Sequence, residues 1–254
     1  MKIAVISDIH SNREAFDAVL KDIESEKADK IFCVGDLIGY GPDPEYIISK
    51  IRDMNIPTVM GNYDNAVAFG MTDCGCSYNP GRETEVGNIS LKWTSENISD
   101  EYKSFLKTLP YTISVNIENV KILFVHGSTL DNLFEYVRPE TSPERLKELT
   151  ENISEDIIVN GHTHISMARH TRGKTFLNPG SIGRTKEGFP KAVYMIIDIK
   201  DGVFSYEFIK IDYDYRKTIE KIVSVGLPNE LATVIALGNT YKMGKTDTLK
   251  TFFI

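Results

Sequence analysis

Residues 3–10 read IAVISDIH, an apolar run with the length of one strand that ends in a carboxylate, Asp8, and an imidazole, His10. Apolar side chains then repeat at helical spacing over residues 16–23, and a second apolar run follows at residues 30–34. Two strands joined by a helix in this order pair in parallel. In such sheets ligands gather beyond the carboxyl ends of the strands. The stretch therefore predicts an α/β fold with a polar site at one sheet edge.

The rest of the chain continues the pattern of strands and helices without an internal repeat. A helix is predicted from Pro44 to about Asp53, with proline in its first turn, and a third short strand at residues 57–60. Residues 65–109 are expected to be helical around a loop at residues 74–81. The prediction is completed by a hairpin over residues 111–125, strands at 157–159, 175–177, 192–199 and 203–209, two helices at about 214–224 and 228–237, and a polar tail.

The length of 254 residues and the apolar fraction of 41% are typical of a globular protein with one large domain. We predict one domain over residues 1–213, with the helical segment at about 65–109 inside it. Residues 214–254 are predicted to be a helical extension that does not form an independent domain.

Charge and composition argue against several partners and locations. The formal net charge is −7 and the chain has no run of lysines and arginines, so long nucleic acids and anionic membranes are not expected partners. No apolar run approaches the roughly 20 residues that a membrane-spanning helix needs, and no signal peptide is expected from the first residues. Three cysteines, an odd number, argue against a disulfide framework and favour a reducing cytoplasm.

Side chains with metal-binding capacity recur where the predicted strands end. Four of the five histidines stand at such junctions, each beside a glycine or a carboxylate. With two aspartates and one asparagine they make seven nitrogen and oxygen donors: Asp8, His10, Asp36, Asn62, His126, His162 and His164. This set contains no thiolate and suits Mn²⁺, Fe or Zn²⁺ in a catalytic site. Seven donors exceed the need of one tetrahedral ion but fit two ions ~3.5–4 Å apart that share a carboxylate.

Each of these residues has an ordinary structural explanation when it is taken singly. Asp8 could cap a loop, Asn62 could stabilise a turn, and His126 could be a hydrogen-bonded core residue. These explanations lose force because all seven donors occur together at strand ends. Elsewhere the ordinary explanation is preferred. Arg184 and Lys186 could reach a substrate phosphate, but we expect them to be solvated surface charges.

Five short motifs occur in order along the chain: DIH at residues 8–10, GDLIGYGP at 35–42, GNYD at 61–64, VHGS at 125–128 and GHTH at 161–164. In this order they resemble the motifs of the calcineurin-like metallophosphoesterases over about residues 1–210. The NPGS segment at 178–181 also resembles bacterial and archaeal members, and the chain is similar to their small phosphodiesterase-like branch. The resemblance implies an α/β (α+β) fold, a four-layer αββα sandwich of two mixed sheets with flanking helices and a small helical C-terminal extension. Residues 1–213 would then be the metallophosphoesterase domain.

The resemblance also implies a metal site and a reaction. One divalent ion would be held by Asp8, His10, Asp36 and His164. Asp36 would bridge to a second ion, which would also be held by Asn62, His126 and His162. A hydroxide between the two ions would attack phosphorus in line with the leaving group. The expected cofactors are two divalent ions, with Mn²⁺ preferred over Zn²⁺, Fe and Ni²⁺.

Position 63 departs from the family pattern. Many members have histidine after the motif asparagine, where this chain has Tyr63. In the family that histidine is thought to assist the leaving group or to stabilise transition-state charge, and a phenol with a pKa near 10 is a poor acid at neutral pH. The phosphodiesterase-like branch also resembles this chain in lacking histidine here. The catalytic residues expected by resemblance are Asp36, Asn62, His126 and Tyr63.

The sequence thus favours a dinuclear metal-dependent phosphoric ester hydrolase that acts on phosphodiester or nucleotide-type phosphate bonds. Two alternatives stay open: a phosphomonoesterase or protein phosphatase of the same family, and a non-enzymatic metal-binding scaffold with this fold. The expected partner is a small phosphate ester such as a nucleotide, with no long nucleic acid and no membrane. The sequence does not specify the oligomeric state.

Overall fold

Nine strands and eight helices make up residues 1–239, the part of the chain that this computed structural model describes. The strands are, in chain order, β1 (Lys2–Ile6), β2 (Lys30–Cys33), β3 (Thr112–Ile117), β4 (Val120–Val125), β5 (Ile157–Val159), β6 (Ser166–Thr171), β7 (Lys174–Pro179), β8 (Lys191–Lys200) and β9 (Val203–Asp212). The helices are α1 (Arg13–Ser25), α2 (Pro44–Asp53), α3 (Asn62–Ala68), α4 (Arg82–Glu96), α5 (Asp100–Leu106), α6 (Pro143–Glu148), α7 (Tyr215–Ser224) and α8 (Asn229–Leu237).

The strands form two mixed sheets. The first has the order β2-β1-β8-β9, in which β1 pairs in parallel with β2 and antiparallel with β8. The second has the order β3-β4-β5-β7-β6, with parallel pairs at its centre and antiparallel pairs at both edges. The register of the first sheet sets Ile6 opposite Cys33, so the carboxyl ends of β1 and β2 lie at the same edge.

A shared apolar core joins the two sheets face to face. Because side chains alternate along a strand, Ile3 and Val5 of β1 contribute to this core, whereas Ala4 belongs to the cluster on the opposite face. Across the core, the rings of Phe32 and Phe124 stack with their centroids 4.5 Å apart. The sheets are therefore the two inner layers of a sandwich.

Helices cover the outer faces of both sheets. In α1, Asn12 caps the first turn by accepting from the Ala15 N–H (3.2 Å), and Phe16 is buried against the first sheet. On the other side, Leu146 of α6 packs with Phe176 of β7. The predicted fold class, an αββα sandwich of two mixed sheets with flanking helices, is confirmed.

Three short segments differ from the sequence prediction, one of which is α6, for which the sequence analysis predicts no helix. Residues 57–60 form a single bridge between Thr58 and Cys33 instead of a strand, because Gly61 and α3 follow immediately. The edge strand β6 was not predicted, since its sequence SMARHT is largely polar and lacks the apolar run of a buried strand. An edge strand can leave one face in solvent, so it can be largely polar and lack the apolar pattern that predicts a strand.

The C-terminal segment contains helices at the two predicted places, α7 and α8. Lys221 of α7 forms an ion pair with Glu14 of α1 at 2.7 Å, so the segment packs on the first helix of the chain. The predicted polar tail from residue 240 onward lies outside the described residues. The boundary between a domain at 1–213 and an extension at 214–254 stays a prediction.

The structure contains one disulfide, although the odd number of cysteines argues against a disulfide framework. Cys74 and Cys76 form a disulfide across Gly75, whose positive φ of 68° turns the chain so that the two Cα atoms lie 5.4 Å apart. Cys33 is free and buried. Between residues 1 and 239, no helix is both long and apolar enough to span a bilayer. The reducing cytoplasm stays a prediction.

Candidate active site

The loops that follow β1 and β2 lie side by side at one edge of the first sheet. The N–H of Asp8 donates to the carbonyl of Gly35 (3.0 Å), and the N–H of His10 donates to the carbonyl of Asp36 (3.1 Å). These bonds continue the contact between the two parallel strands beyond their ends. They bring the side chains of Asp8, His10 and Asp36 to one place.

The seven donors predicted from the sequence all meet at this edge, in two overlapping groups, and all seven are buried. In each group the ligand-type atoms lie within 4.8 Å of one another. The first group is Asp8, His10, Asp36 and His164, and the second is Asp36, His126 and His162. Asn62 joins the second group through its Oδ1, which lies 3.0 Å from His126 Nε2.

Left-handed backbone marks five of the seven donors. The φ angles lie between 48° and 66° for Asp8, His10, Asp36, His162 and His164. For residues other than glycine this conformation costs on the order of 1 kcal/mol or more. Such strain clusters at functional sites because the surrounding structure must compensate for it.

Gly61 allows the start of α3 to approach Asp36 closely. A Cβ atom at position 61 would lie 2.1 Å from the backbone nitrogen of Asp36. Two residues further on, the N–H of Tyr63 donates to Asp36 Oδ1 at 2.9 Å. The first turn of α3 therefore orients the carboxylate that the two groups share.

Backbone carbonyls determine which ring nitrogen of two histidines carries the proton. His10 Nδ1 lies 3.0 Å from the Ile38 carbonyl oxygen, and His164 Nδ1 lies 2.6 Å from that of Arg184. Because a carbonyl oxygen only accepts, both Nδ1 atoms donate. In the neutral rings both Nε2 atoms are then acceptors, and they lie 3.1 Å apart. Two facing lone pairs repel unless a cation is shared between them.

The same situation occurs at His126. Its Nδ1 donates to the Val34 carbonyl (2.7 Å), so Nε2 is an acceptor when the ring is neutral. The amide nitrogen of Asn62 donates to the Cys74 carbonyl (2.8 Å) and to Cys76 Sγ (3.2 Å). Asn62 Oδ1 therefore faces His126 Nε2, and the two facing atoms are both acceptors.

The donor set fits divalent cations. Two further buried acceptors, Asp8 Oδ1 and His162 Nε2, have no hydrogen-bond partner within residues 1–239. A buried acceptor without a partner costs about 1–3 kcal/mol. Imidazole nitrogens and carboxylate or amide oxygens are ligands of Mn²⁺, Fe and Zn²⁺. The convergence of these acceptors thus supports divalent-metal binding.

Burial moves the protonation equilibria of these groups in opposite directions. It raises the pKa of Asp8 to about 7 and the pKa of Asp36 well above its ordinary value. It lowers the pKa values of His10, His162 and His164 well below the ordinary value. At neutral pH these three histidines are therefore neutral and ready to bind a cation, whereas the two carboxyl groups compete with protons.

Two buried polar residues support the donors, and the sequence analysis assigned them no role. Asp64 accepts from the N–H of Leu37 (3.0 Å) and from that of Gly61 (3.1 Å), which joins the loops bearing Asp36 and Asn62. Burial raises the pKa of Asp64 to about 6. Asn178 donates to the Gly161 carbonyl at 2.7 Å. Their positions inside the GNYD and NPGS motifs were the available signal.

A small cavity with about 40 Å³ of water-accessible space lies over the donors, and Asp36, Asn62, His162 and His164 line it. Arg184 and Lys186 line the same cavity. The expectation that both are solvated is wrong for Arg184, which is 7% exposed. Its N–H donates to Ser181 Oγ (2.9 Å), so the segment after the NPGS turn folds over the site. Burial and the charge of Arg184 lower the pKa of Lys186 to about 7.

Tyr63 does not line this cavity. Its side chain is fully buried, and its hydroxyl lies 2.8 Å from the hydroxyl of Tyr78. Tyr78 also bonds to the hydroxyl of Tyr40, and these two rings do reach the cavity. Burial raises the pKa of Tyr63 well above its ordinary value. The catalytic role of Tyr63 stays a prediction.

Comparison with known proteins agrees with this geometry. Residues 1–202 match the calcineurin-like phosphoesterase superfamily domain. The uncharacterized protein MJ0912 of Methanocaldococcus jannaschii is 36% identical over 257 residues, which cover 93% of this chain and 98% of that protein. Phosphodiesterase YfcE of Escherichia coli K12 is 27% identical over 200 residues, or 77% of this chain and 87% of that one.

The fold also matches a solved structure. The crystal structure of a metallophosphoesterase from Sphaerobacter thermophilus superposes with a TM-score of 0.76 at 26% sequence identity, covering 94% of this chain and 99% of that chain. Motif order, sandwich fold and relatives agree. The chain belongs to the calcineurin-like phosphoesterase superfamily and resembles its small bacterial and archaeal members.

Proposed function

We propose that this protein is a dinuclear metal-dependent phosphoesterase that hydrolyses phosphodiester or nucleotide-type phosphate bonds. Family membership supports a hydrolase. The observation that carries the finer proposal is the convergence of buried acceptors: Nε2 of His10 and Nε2 of His164 lie 3.1 Å apart with no proton between them, and Asn62 Oδ1 lies 3.0 Å from His126 Nε2. A bound cation turns the contact between His10 and His164 into a favourable pair of ligands.

In this proposal two divalent ions share Asp36. The first is held by Asp8, His10, Asp36 and His164, and the second by Asp36, Asn62, His126 and His162. When bound, the ions supply a nucleophile at neutral pH and offset the charge on the phosphoryl oxygens. Mn²⁺ is the proposed ion because the donors mix carboxylate with imidazole and include no thiolate. Zn²⁺, Fe and Ni²⁺ are the competing assignments.

The protein prepares this site before substrate binds. The Tyr63 N–H holds the Asp36 carboxylate, and the Cys74 carbonyl turns Asn62 so that its oxygen faces the cluster. The Val34 carbonyl keeps the His126 Nε2 free to bind. We therefore assign Asp36, Asn62 and His126 to the catalytic centre.

The preference for phosphodiesters over monoesters has two supports. The first is the phenol of Tyr63, whose raised pKa makes it a poor acid, so that leaving groups needing little protonation are favoured. The second is the similarity to YfcE, which is described as a phosphodiesterase. A small phosphate ester or nucleotide as substrate and a cytoplasmic location are parts of the same proposal.

The test combines metal analysis with a substrate panel. Purified protein loaded with Mn²⁺ is expected to contain two ions per chain and to hydrolyse bis(p-nitrophenyl) phosphate faster than p-nitrophenyl phosphate, with loss of activity on chelation. Asp36→Asn should reduce both the metal content and kcat/KM, the latter by at least about 100-fold. Asp198→Asn, at an exposed position of β8, is the matched control and should change neither.

Other results would favour the alternatives. Two bound ions without turnover of any diester, monoester or pyrophosphate would contradict an enzyme and favour a metal-binding scaffold. Faster hydrolysis of the monoester than of the diester would favour a phosphomonoesterase or protein phosphatase.

A further inference from the structure

The cavity wall carries a buried cation that the metal-site proposal does not use. Arg184 is 7% exposed, and its Nε has no hydrogen-bond partner. Within residues 1–239 its guanidinium forms no hydrogen bond and no ion pair, although it contacts the face of Tyr40. A buried guanidinium nitrogen without an acceptor is unfavourable, and an anion bound in the cavity would supply the acceptor. The site is therefore short of an anion beside Arg184.

Arg184 is held rigidly beside the donor cluster. Its carbonyl accepts from His164 Nδ1 (2.6 Å), and its guanidinium carbon lies 4.2 Å from the centroid of the Tyr40 ring. The same ring contacts the imidazole of His10, with the centroids 4.7 Å apart. A fixed guanidinium presents two parallel donors to a phosphate, so this placement suits an oxyanion.

Lys186 adds a second cation to the same wall. Its N–H donates to the carbonyl of His164 (3.1 Å), and within the described residues its ammonium forms no hydrogen bond or ion pair. Outside the donor cluster, Glu83 is the carboxylate that lines the cavity among residues 1–239. Its Oε2 already accepts from the backbone N–H of Asn79 at 3.1 Å. Outside the donor cluster the wall thus carries two basic side chains and one carboxylate.

This charge exceeds what one phosphodiester needs. Two divalent ions bring about +4, and the carboxylates of Asp8 and Asp36 return about −2, which already offsets a phosphodiester monoanion. We propose that Arg184 and Lys186 form a second phosphate subsite, and that the substrates are phosphoanhydrides whose second phosphate occupies it. The inference rests on the proposed phosphoesterase activity and narrows its substrate class.

The reaction balances as hydrolysis of a P–O–P bond. The oxygen of water bonds to the phosphorus over the donor cluster, and the bond from that phosphorus to the bridging oxygen breaks. The bridging oxygen leaves with the electron pair as part of the second phosphate, and the protons of water are shared between the products and solvent. Arg184 and Lys186 stand beside this leaving phosphate and offset its charge. The cavity is small, with about 40 Å³ of water-accessible space, so the organic groups of a diphosphate substrate would extend outward.

The test measures binding and turnover separately. Calorimetry compares methylenediphosphonate, a diphosphate that cannot be hydrolysed, with inorganic phosphate on Mn²⁺-loaded protein, and the metal content is measured again afterwards to detect chelation. Wild-type protein should bind the diphosphonate more tightly than phosphate. Arg184→Gln should lower the affinity for the diphosphonate by about 10- to 100-fold and the affinity for phosphate by less than about threefold. The matched control is Arg138→Gln, because Arg138 is exposed, contacts the Tyr136 ring and does not itself line the cavity.

Turnover gives the second readout. Arg184→Gln should lower kcat/KM for a dinucleoside pyrophosphate by about 10- to 100-fold and for bis(p-nitrophenyl) phosphate by less than about threefold. Arg184→Lys should restore part of the loss. Where Arg184→Gln does not fold, Lys186→Gln, at a partly exposed position, is the substitute variant. It should also lower kcat/KM more for the dinucleoside pyrophosphate than for the diester, but by a smaller factor.

Two outcomes would overturn the subsite. An equal loss of affinity for phosphate and diphosphonate would show that Arg184 contacts the phosphate that is attacked. No loss of affinity for either would show that Arg184 does not bind the ligand. Absence of turnover on both substrates would contradict the proposed function instead, and the binding comparison would still decide the subsite.

Discussion

Nε2 of His10 lies 3.1 Å from Nε2 of His164, and neither atom has a proton to donate to the other. The Ile38 and Arg184 carbonyls hold the protons of both rings on Nδ1. In the metal-free protein this contact is unfavourable, whereas a cation converts it into a pair of ligands. The folded chain thus contains an unfavourable contact at the site, and metal binding removes the repulsion between the two nitrogen atoms.

Metal binding should therefore stabilise the protein measurably. At about 100 times its dissociation constant, one bound ion contributes about 2.7 kcal/mol, which corresponds to a rise in Tm of about 5–10 °C for a chain of this size. His164→Ala should lose most of this rise in a calorimetric scan with Mn²⁺. His170→Ala, at an exposed position outside the cluster, should keep it. An equal rise in both variants would contradict the role of His164.

Metal affinity should increase with pH and be accompanied by proton release. Burial raises the pKa of Asp8 to about 7, so its proton must leave before a cation binds below that pH. The lowered pKa values of His10 and His162 mean that these rings carry no extra proton near neutrality. Calorimetry in buffers of different ionisation enthalpy should show release that is large near pH 6 and small by pH 8.5. Release that does not change with pH would contradict this account.

Asp64 should matter for both stability and metal binding, although it is not a predicted ligand. Asp64→Ala leaves the N–H groups of Leu37 and Gly61 buried without an acceptor. We expect a loss of about 2–4 kcal/mol in the free energy of unfolding, measured by urea denaturation of the metal-free protein. Metal affinity should fall about 10- to 100-fold because the Asp36 loop loses its support. Asp198→Ala, at an exposed position, should leave both values within error.

Tyr63→Phe separates the catalytic prediction from a structural role. The substitution removes the hydroxyl that bonds to Tyr78 and to the Gly87 carbonyl but keeps the backbone N–H that holds Asp36. From the position of the ring we expect kcat/KM to stay within about threefold and stability to fall by about 1 kcal/mol. A tenfold loss of kcat at unchanged stability would support direct participation of Tyr63 in catalysis.

Much of the fold and the donor set could be predicted because the relevant information is local. Strand length, helical spacing and the proline of α2 are properties of neighbouring residues, and the structure confirms the β3–β4 hairpin and α2 over residues 44–53. The donors could be recognised because they occupy strand ends in order, and parallel pairing of β1 with β2 sets Asp8 beside Asp36.

Other features depended on residues far apart in the chain. The left-handed backbone of His162 is imposed by loop packing and leaves no signal in composition. Tyr63 does not line the cavity because its ring packs against Gly39 and its hydroxyl bonds to Tyr78, and neither contact follows from the motif.

Arg184 shows most clearly the difference between what the sequence determined and what only the tertiary structure decided. By itself the sequence determined the fold class and the chemistry of the seven donors, because the order of strands and helices and the type of each side chain are local properties of the sequence. Only the tertiary structure decided that an arginine expected at the surface is buried against Tyr40, 144 positions earlier in the chain. Burial is the sum of contacts between distant segments, so the side chain that gives the cavity its extra charge becomes visible only when the chain is folded.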